Sequence, residues 1–350
     1  MTALQIGDRP VGPDEPTFVI AEAGSNHNGD LDTARELIDV AANAGADAVK
    51  FQTFRADDLY VEDSGGVDYL DDDRSIYEII ESMEMPYEWI PKLHEHCREQ
   101  GILFMSTPFD ERSAEELAPY VPAWKVASYT SSHVPFLEAL GATDKPIIMS
   151  TGAHALDEIE QSVRVLREAG AEDLVLLQCV AAYPTPLSDA NVGVLRTFSD
   201  VFDLPVGLSD HTLDPTTAPN AAAALGASVV EKHFTLDNDM DGPDHEFALE
   251  PDELDRMVTA IRATETAVGS GEKRVLDSER ELHEKARRAV HATADIAAGE
   301  QLTADNVGVL RPGERDAGLH PSHYDDVLGS AAARDIGRGD GIDWDDIRTD

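Results

Sequence analysis

The stretch VIAEAGSNHNGD, residues 19–30, leaves an apolar run at Glu22 and then sets Asn26, His27 and Asn28 in close succession. A carboxylate, two amides and an imidazole at the exit of a strand are groups that move protons or hold cations. Comparable clusters recur down the chain. AVKFQTF carries Lys50 and Gln52 two apart, on one face of a strand, with Phe51 on the other. FMSTPFD brings Ser106 and Thr107, WKVAS brings Lys125 and Ser128, and IIMSTG brings Ser150 and Thr151. Gln178 and then Tyr183 follow, and GLSDHT and VEKHF supply Ser209, Asp210, His211, Glu231, Lys232 and His233. The chain has only seven lysines, and Lys50, Lys125 and Lys232 are three of them. An inward-facing lysine needs an anion, so Lys50 and Lys125 with their neighbouring hydroxyls predict a pocket for phosphate and carboxylate. His211 and His233, each ending a strand, could bring two imidazoles to one point. With a carboxylate and water they suit an octahedral divalent ion such as Mn²⁺ better than a closed structural zinc site. A metal beside a phosphate pocket suggests joining an enolate-like phosphate to a carbonyl compound.

Each feature has a plainer reading. Asn28 and Asp30, or Ser150 and Thr151, could cap the helices that follow. Cys179 reads as buried filler. His94 and His96, two apart on a helix, face different sides and read as surface residues. His27 could be a structural histidine.

The elements that position these groups alternate regularly. Apolar stretches at Phe18–Gly24, 48–54, 102–107, 123–128, 146–151, Leu174–Cys179, 205–210 and 229–234 read as eight strands. Between most of them lie helical periods such as LDTARELIDVAANAG, several ending in glycine at Gly45, Gly170 and Gly226. Eight such units predict a (β/α)₈ barrel, with its strand exits converging on one mouth; a doubly wound open sheet is the competitor. The acidic connection between strands 2 and 3, residues 55–86, reads either as a lid or as a solvated excursion. The alternation stops near GSGEKRVLDSERELHEK. The expected organisation is a barrel over 1–270, a linker over 271–285 and a small β-rich domain over 286–350. A domain that small has a marginal core and would lean on its own barrel or on a partner chain.

Bulk properties bound the function. The 350 residues are 42% apolar, enough for a large core. A formal charge of −42 would repel nucleic acid and anionic membranes and fits a cytosol at molar salt. With no long apolar run and two unpaired-looking cysteines, the reading is a cytoplasmic protein without disulfides.

Taken in order, IAEAGSNHNGD, AGADAVKFQTF, STPFD, WKVAS, IIMSTG, YPTP, GLSDHT, EKHFTLD, GPDH and LEPDEL resemble the sialic acid synthase family. ADIAAGEQLTADNV and RPG resemble the antifreeze-like SAF (β-clip) domain that follows the barrel in that family. The resemblance covers nearly the whole chain and is closer to the sialic and legionaminic branch than to the pseudaminic one. It implies condensation of phosphoenolpyruvate with an N-acetylated hexose to a nine-carbon 2-keto-3-deoxy acid, with phosphate released by C–O cleavage. It further implies that His211 and His233 hold Mn²⁺, with Mg²⁺ or Co²⁺ as alternatives. Lys50, Thr107, Lys125, Ser128, Ser150 and Ser209 would grip phosphoenolpyruvate, and Glu22 would assist proton transfer. Gln52, Tyr183 and Asp244 would contact the sugar. Arg311 would reach the N-acetyl group from the small domain of a second subunit, in a domain-swapped homodimer. Ala181 stands where the N-acetylmannosamine enzymes can carry a sugar-binding Asn, and Ala153 stands where methionine is usual, so a 2,4-diacetamido-trideoxyhexose is an alternative acceptor. The rival readings are another phosphoenolpyruvate-condensing 3-deoxy-ulosonic acid synthase, which would need further basic residues for a phosphorylated acceptor, and a non-catalytic glycan-binding or assembly protein.

Overall fold

The computed structural model describes residues 3–61 and 74–348. The chain forms two compact units, Met1–Gly269 and Ser270–Asp350. The first opens with an antiparallel hairpin, β1 (Leu4–Ile6) and β2 (Arg9–Val11). Eight strands follow: β3 (Phe18–Gly24), β4 (Ala48–Thr53), β5 (Leu103–Pro108), β6 (Trp124–Val126), β7 (Ile147–Ser150), β8 (Leu174–Cys179), β9 (Val206–Asp210) and β10 (Val229–His233). They pair in the order β5-β4-β3-β10-β9-β8-β7-β6, every pairing parallel, and β5 and β6 lie side by side to bring the sheet round on itself. This is the expected eight-stranded barrel with helices between its strands. The fourth expected strand ends early: β6 stops at Val126, because a 3-10 turn over Ser128–Thr130 takes the chain away.

Period-2 alternation sorts the barrel's side chains into two apolar shells. Phe18, Ile20, Ala48, Met105, Ala123, Ile148, Val175, Leu177 and Val229 form the inner one, together with Leu4, Ile6 and Val11 of the hairpin. Their neighbours Val19, Ala21, Val49, Phe51, Phe104, Trp124, Ile147 and Leu176 pack against the helices. Helix Leu31–Asn43 starts at Asp30, whose carboxylate accepts from the Thr33 N–H, and Gly45 ends its last turn at φ 78°. Asp30 therefore is a cap and Asn28 is not; Asn28 instead turns left-handed (φ 49°) and meets His245 Nε2 at 3.1 Å. Helix Leu156–Ala169 starts at Ala155, so Ser150 and Thr151 are not caps either. His94 and His96 do face different ways, but both are half-buried. His94 packs edge-on against Phe104 and Tyr120, and His96 lies 2.7 Å from Asp39.

The connection over 55–86, read as either a lid or a solvated excursion, includes residues 62–73, which lie outside the described residues. The second unit holds two antiparallel pairs, β11 (Ala289–Ala292) with β12 (Val307–Leu310) and β13 (Ala331–Ala332) with β14 (Ile347–Arg348), around Val290, Leu302, Val307, Val327, Ile336 and Ile342. The segment expected as a linker contains a short helix, Arg280–Lys285. Among the described residues, no helix is long and apolar enough to cross a membrane.

Candidate active site

On seven of the eight barrel strands the inner face begins apolar and ends polar. On β3, Phe18 and Ile20 are followed two residues on by Glu22; on β4, Ala48 leads to Lys50 and Gln52; on β5, Met105 leads to Thr107. On β6, Ala123 leads to Lys125, and on β7, Ile148 leads to Ser150. Gly207 leads to Ser209 on β9, and Val229 leads to Glu231 and His233 on β10. The carboxyl ends of the strands thus converge polar groups on one mouth.

Two lysines sit at its centre, each only 2% exposed. Lys50 Nζ lies 2.6 Å from Glu22 Oε2, donates to Thr107 Oγ1 at 2.8 Å and lies 3.7 Å from Glu231. Lys125 Nζ donates to Ser150 Oγ at 2.7 Å and also lies 3.7 Å from Glu231. Gln52 Nε2 donates to the other oxygen of Glu22 at 2.9 Å, and Ser209 Oγ donates to Glu231 at 3.3 Å. Beside Lys125, Ser128 Oγ accepts from the Gly152 N–H at 2.9 Å and lies 3.4 Å from Cys179 Sγ. A Cβ on Gly152 would stand 2.9 Å from that hydroxyl, so this corner closes only around glycine. The Ala181 backbone borders the same corner.

Burial and neighbouring charge set the protonation states. Burial raises the Glu22 carboxyl to about 7, with the Lys50 ammonium opposing it. Burial would also raise Glu231, but Lys125 and then Lys50 more than offset it and hold this carboxylate below its ordinary value. Lys50 is held above its ordinary value because Glu22 and Glu231 outweigh burial, whereas for Lys125 burial wins and lowers it.

The other half of the mouth is aromatic. The His211 and His233 rings lie 5.5 Å apart, with Tyr183 4.3 Å from the first and Phe247 5.2 Å from the second. His211 Nδ1 lies 2.8 Å from the Val180 carbonyl and donates to it, which leaves Nε2 with its lone pair free. His233 Nδ1 is buried with no hydrogen-bond partner and lies 3.8 Å from Asp244 Oδ2. Burial raises the Asp244 carboxyl to about 6. One imidazole oriented from behind and a second with an unmet nitrogen fit the protein's share of a divalent-metal site. Among the described residues, no three His, Cys, Asp or Glu side chains are gathered as a complete ligand set, so substrate or water would have to supply the rest.

The structure therefore brings together Glu22, Lys50, Gln52, Thr107, Lys125, Ser128, Ser150, Tyr183, Ser209, His211, His233 and Asp244. Arg311 is exposed in the second unit, directly after β12. Three readings change. Gln178 points to the helix side, where it donates to the Ala190 carbonyl at 3.3 Å, and Cys179 takes the inward place two residues beyond Leu177. Cys179 is thus a wall of the mouth as well as buried filler. Lys232 lies on the outer face, paired with Asp210, and not at the mouth. Glu231, named among the strand-exit residues but given no role there, faces the mouth as alternation along VVEKH implies, and Phe247 is a further site residue from the loop after β10, which left no signal.

A family model, the NeuB family, matches residues 37–273, and a second, the SAF domain, matches 287–348. The chain is 43% identical to the spore coat polysaccharide biosynthesis protein SpsE of Bacillus subtilis, over 99% of this chain and 98% of that one. It is 37% identical to N,N'-diacetyllegionaminic acid synthase of Legionella pneumophila over 97% of each. The solved structure of SpsE superposes over the full length of both chains with a TM-score of 0.68. That of the N-acetylneuraminic acid synthetase of Leptospira borgpetersenii, 32% identical, superposes over 81% of this chain and 95% of that one with a TM-score of 0.73. With its barrel, its mouth residues and its small C-terminal unit, the chain belongs to the NeuB family and carries a SAF domain after the barrel along the chain.

Proposed function

We propose that the protein is a synthase that condenses phosphoenolpyruvate with an N-acetylated hexose, giving a nine-carbon 2-keto-3-deoxy acid and phosphate. The observation that carries this reading is one mouth holding two buried lysines with their hydroxyls on one side and a pair of imidazoles on the other. Lys50 and Lys125, with Thr107, Ser128, Ser150 and Ser209, receive the phosphate and carboxylate of the enol phosphate; fixed charges in a dry mouth act on the departing phosphate without reorganising. His211 and His233 would hold a divalent ion, Mn²⁺ in this reading, which when bound polarises the carbonyl oxygen of the acceptor. Gln52, Tyr183 and Asp244 orient the sugar. Glu22, raised to about 7, exchanges a proton at the acceptor oxygen near neutral pH. The bond formed joins C3 of the enol phosphate to the sugar's carbonyl carbon; water adds at C2, and phosphate leaves with its bridging oxygen. Arg311 would contact the N-acetyl group in the barrel of a second copy, in a domain-swapped homodimer.

The test is phosphate release from phosphoenolpyruvate with Mn²⁺ in molar KCl, offering N-acetylmannosamine beside 2,4-diacetamido-2,4,6-trideoxymannose. Release that requires one of these sugars is expected and names the acceptor. A folded, metal-loaded protein that releases nothing with either overturns the reading.

A further inference from the structure

Lys232 is as buried as the two lysines of the mouth, at 2% exposure, yet it faces the other way. Ser209 and Glu231 are register partners of β9 and β10 on the inner face, and the next pair, Asp210 and Lys232, lies on the outer face. Asp210 is also 2% exposed. Lys232 Nζ lies 2.5 Å from Asp210 Oδ2 and donates to the Thr212 carbonyl and, at 3.3 Å, to Thr212 Oγ1. Asp210 in turn accepts from the Thr212 N–H and hydroxyl, each at 3.0 Å. Asp210 and Thr212 flank one residue, His211, and Lys232 reaches across from β10 to bond both of them. The backbone on both sides of it is tied to β10, the strand that carries His233 as its next residue, while the ring itself is held by the Val180 carbonyl.

A fully buried ion pair is weak grounds for stability, since apolar residues of the same volume commonly do as well or better. Its geometry is specific, however. We propose that Asp210, Lys232 and Thr212 form a clamp that sets the position of His211 relative to His233, and so the affinity of the mouth for its divalent ion. These are positioning residues, which act through His211 and touch no reacting atom. The inference rests on the reading that the two histidines hold a metal.

The test is Mn²⁺ binding to the full chain in the absence of substrates, followed by the EPR signal of the free ion, with a thermal melt of each protein. The double variant Asp210→Leu/Lys232→Met replaces the pair by apolar residues; Thr212→Val removes one hydroxyl and leaves the ion pair, and serves if the double variant does not fold. Loss of orienting groups around a metal ligand is worth about 10–100-fold in affinity. The expected result is a melting point unchanged or raised in the double variant with Mn²⁺ affinity down at least tenfold, and a smaller loss in Thr212→Val. Wild-type affinity in a folded variant overturns the clamp and leaves the metal reading standing. A wild-type chain that binds no Mn²⁺ overturns the metal reading and the clamp with it.

Discussion

Glu231 sits 3.7 Å from each mouth lysine, and its Oε2 has no hydrogen-bond partner. A buried carboxylate between two cations keeps them ordered before an anionic substrate arrives, and its balance depends on both. Lys125→Met keeps the apolar stem and removes the charge. It should lower kcat/KM for phosphoenolpyruvate by about 10²–10³-fold, the scale of losing one fixed donor to developing charge. It should also destabilise the fold, because Glu231 then keeps only one of the two lysines that offset its buried charge; steady-state kinetics and a melt read the two effects separately. A second buried group gives a pH signature. His27 is fully buried, with Nδ1 accepting from the Gly29 N–H at 3.0 Å and the ring edge-on to Trp89, and burial lowers it to about 4. Its neutral form is the folded one. As pH falls below the ordinary 6.5, the unfolded chain takes up a proton that the folded chain refuses until about 4. Stability is therefore present above 6.5 and lost on the way down, by about 3 kcal/mol over that window at 1.36 kcal/mol per unit. Denaturant melts between pH 7 and 4 should show this slope in the wild type and a shallower one in His27→Asn; equal slopes would remove the assignment.

At the level of elements, β9 packs closely on β10 and β8 at Gly207, the register partner of Val229. A Cβ on Gly207 would fall 2.2 Å from the Val229 carbonyl oxygen and 2.7 Å from Leu177 Cδ2. Because the first of these is backbone, the strand itself must move. Gly207→Ala should cost about 1–3 kcal/mol as overpacking and, by shifting β9, should lower activity as well; an unchanged melting point would show that the strands part more easily than this packing allows. The same strands show what the sequence discloses. Eight apolar runs separated by helical periods specify the barrel, and alternation from the inner apolar residues specifies which polar side chain meets the mouth. Applied consistently, that rule picks Cys179 over Gln178 and separates Glu231 and His233 from Lys232. It was the polar character of Gln178 and Lys232 that suggested a place at the mouth. Asp244 was legible only through family resemblance and Phe247 not at all, since a loop has no period to say where its side chains point. The end of β6 was misplaced because WKVAS reads as strand until Ser128 folds into its turn.

Across the whole molecule, 69 acidic residues face 27 lysines and arginines, and the few buried cations are committed to the mouth and the clamp. The surface must therefore repel itself. Ion pairs such as Arg98–Glu95 and Arg280–Asp277 link exposed groups three residues apart and contribute little against such a field. Screening is the remaining remedy, and the Debye length falls from about 8 Å at 0.15 M salt to about 3 Å at 1 M. The melting point should accordingly rise with KCl, steeply below about 1 M and then flatten, because charges further apart than the Debye length no longer feel each other. A sulfate salt at equal ionic strength should follow the same early curve and separate from KCl only above it, where exclusion from apolar surface takes over. A melting point indifferent to KCl up to 2 M, or one that climbs only where sulfate climbs faster, would mean that the acidic surface is tolerated without screening and that its charge carries no requirement for salt.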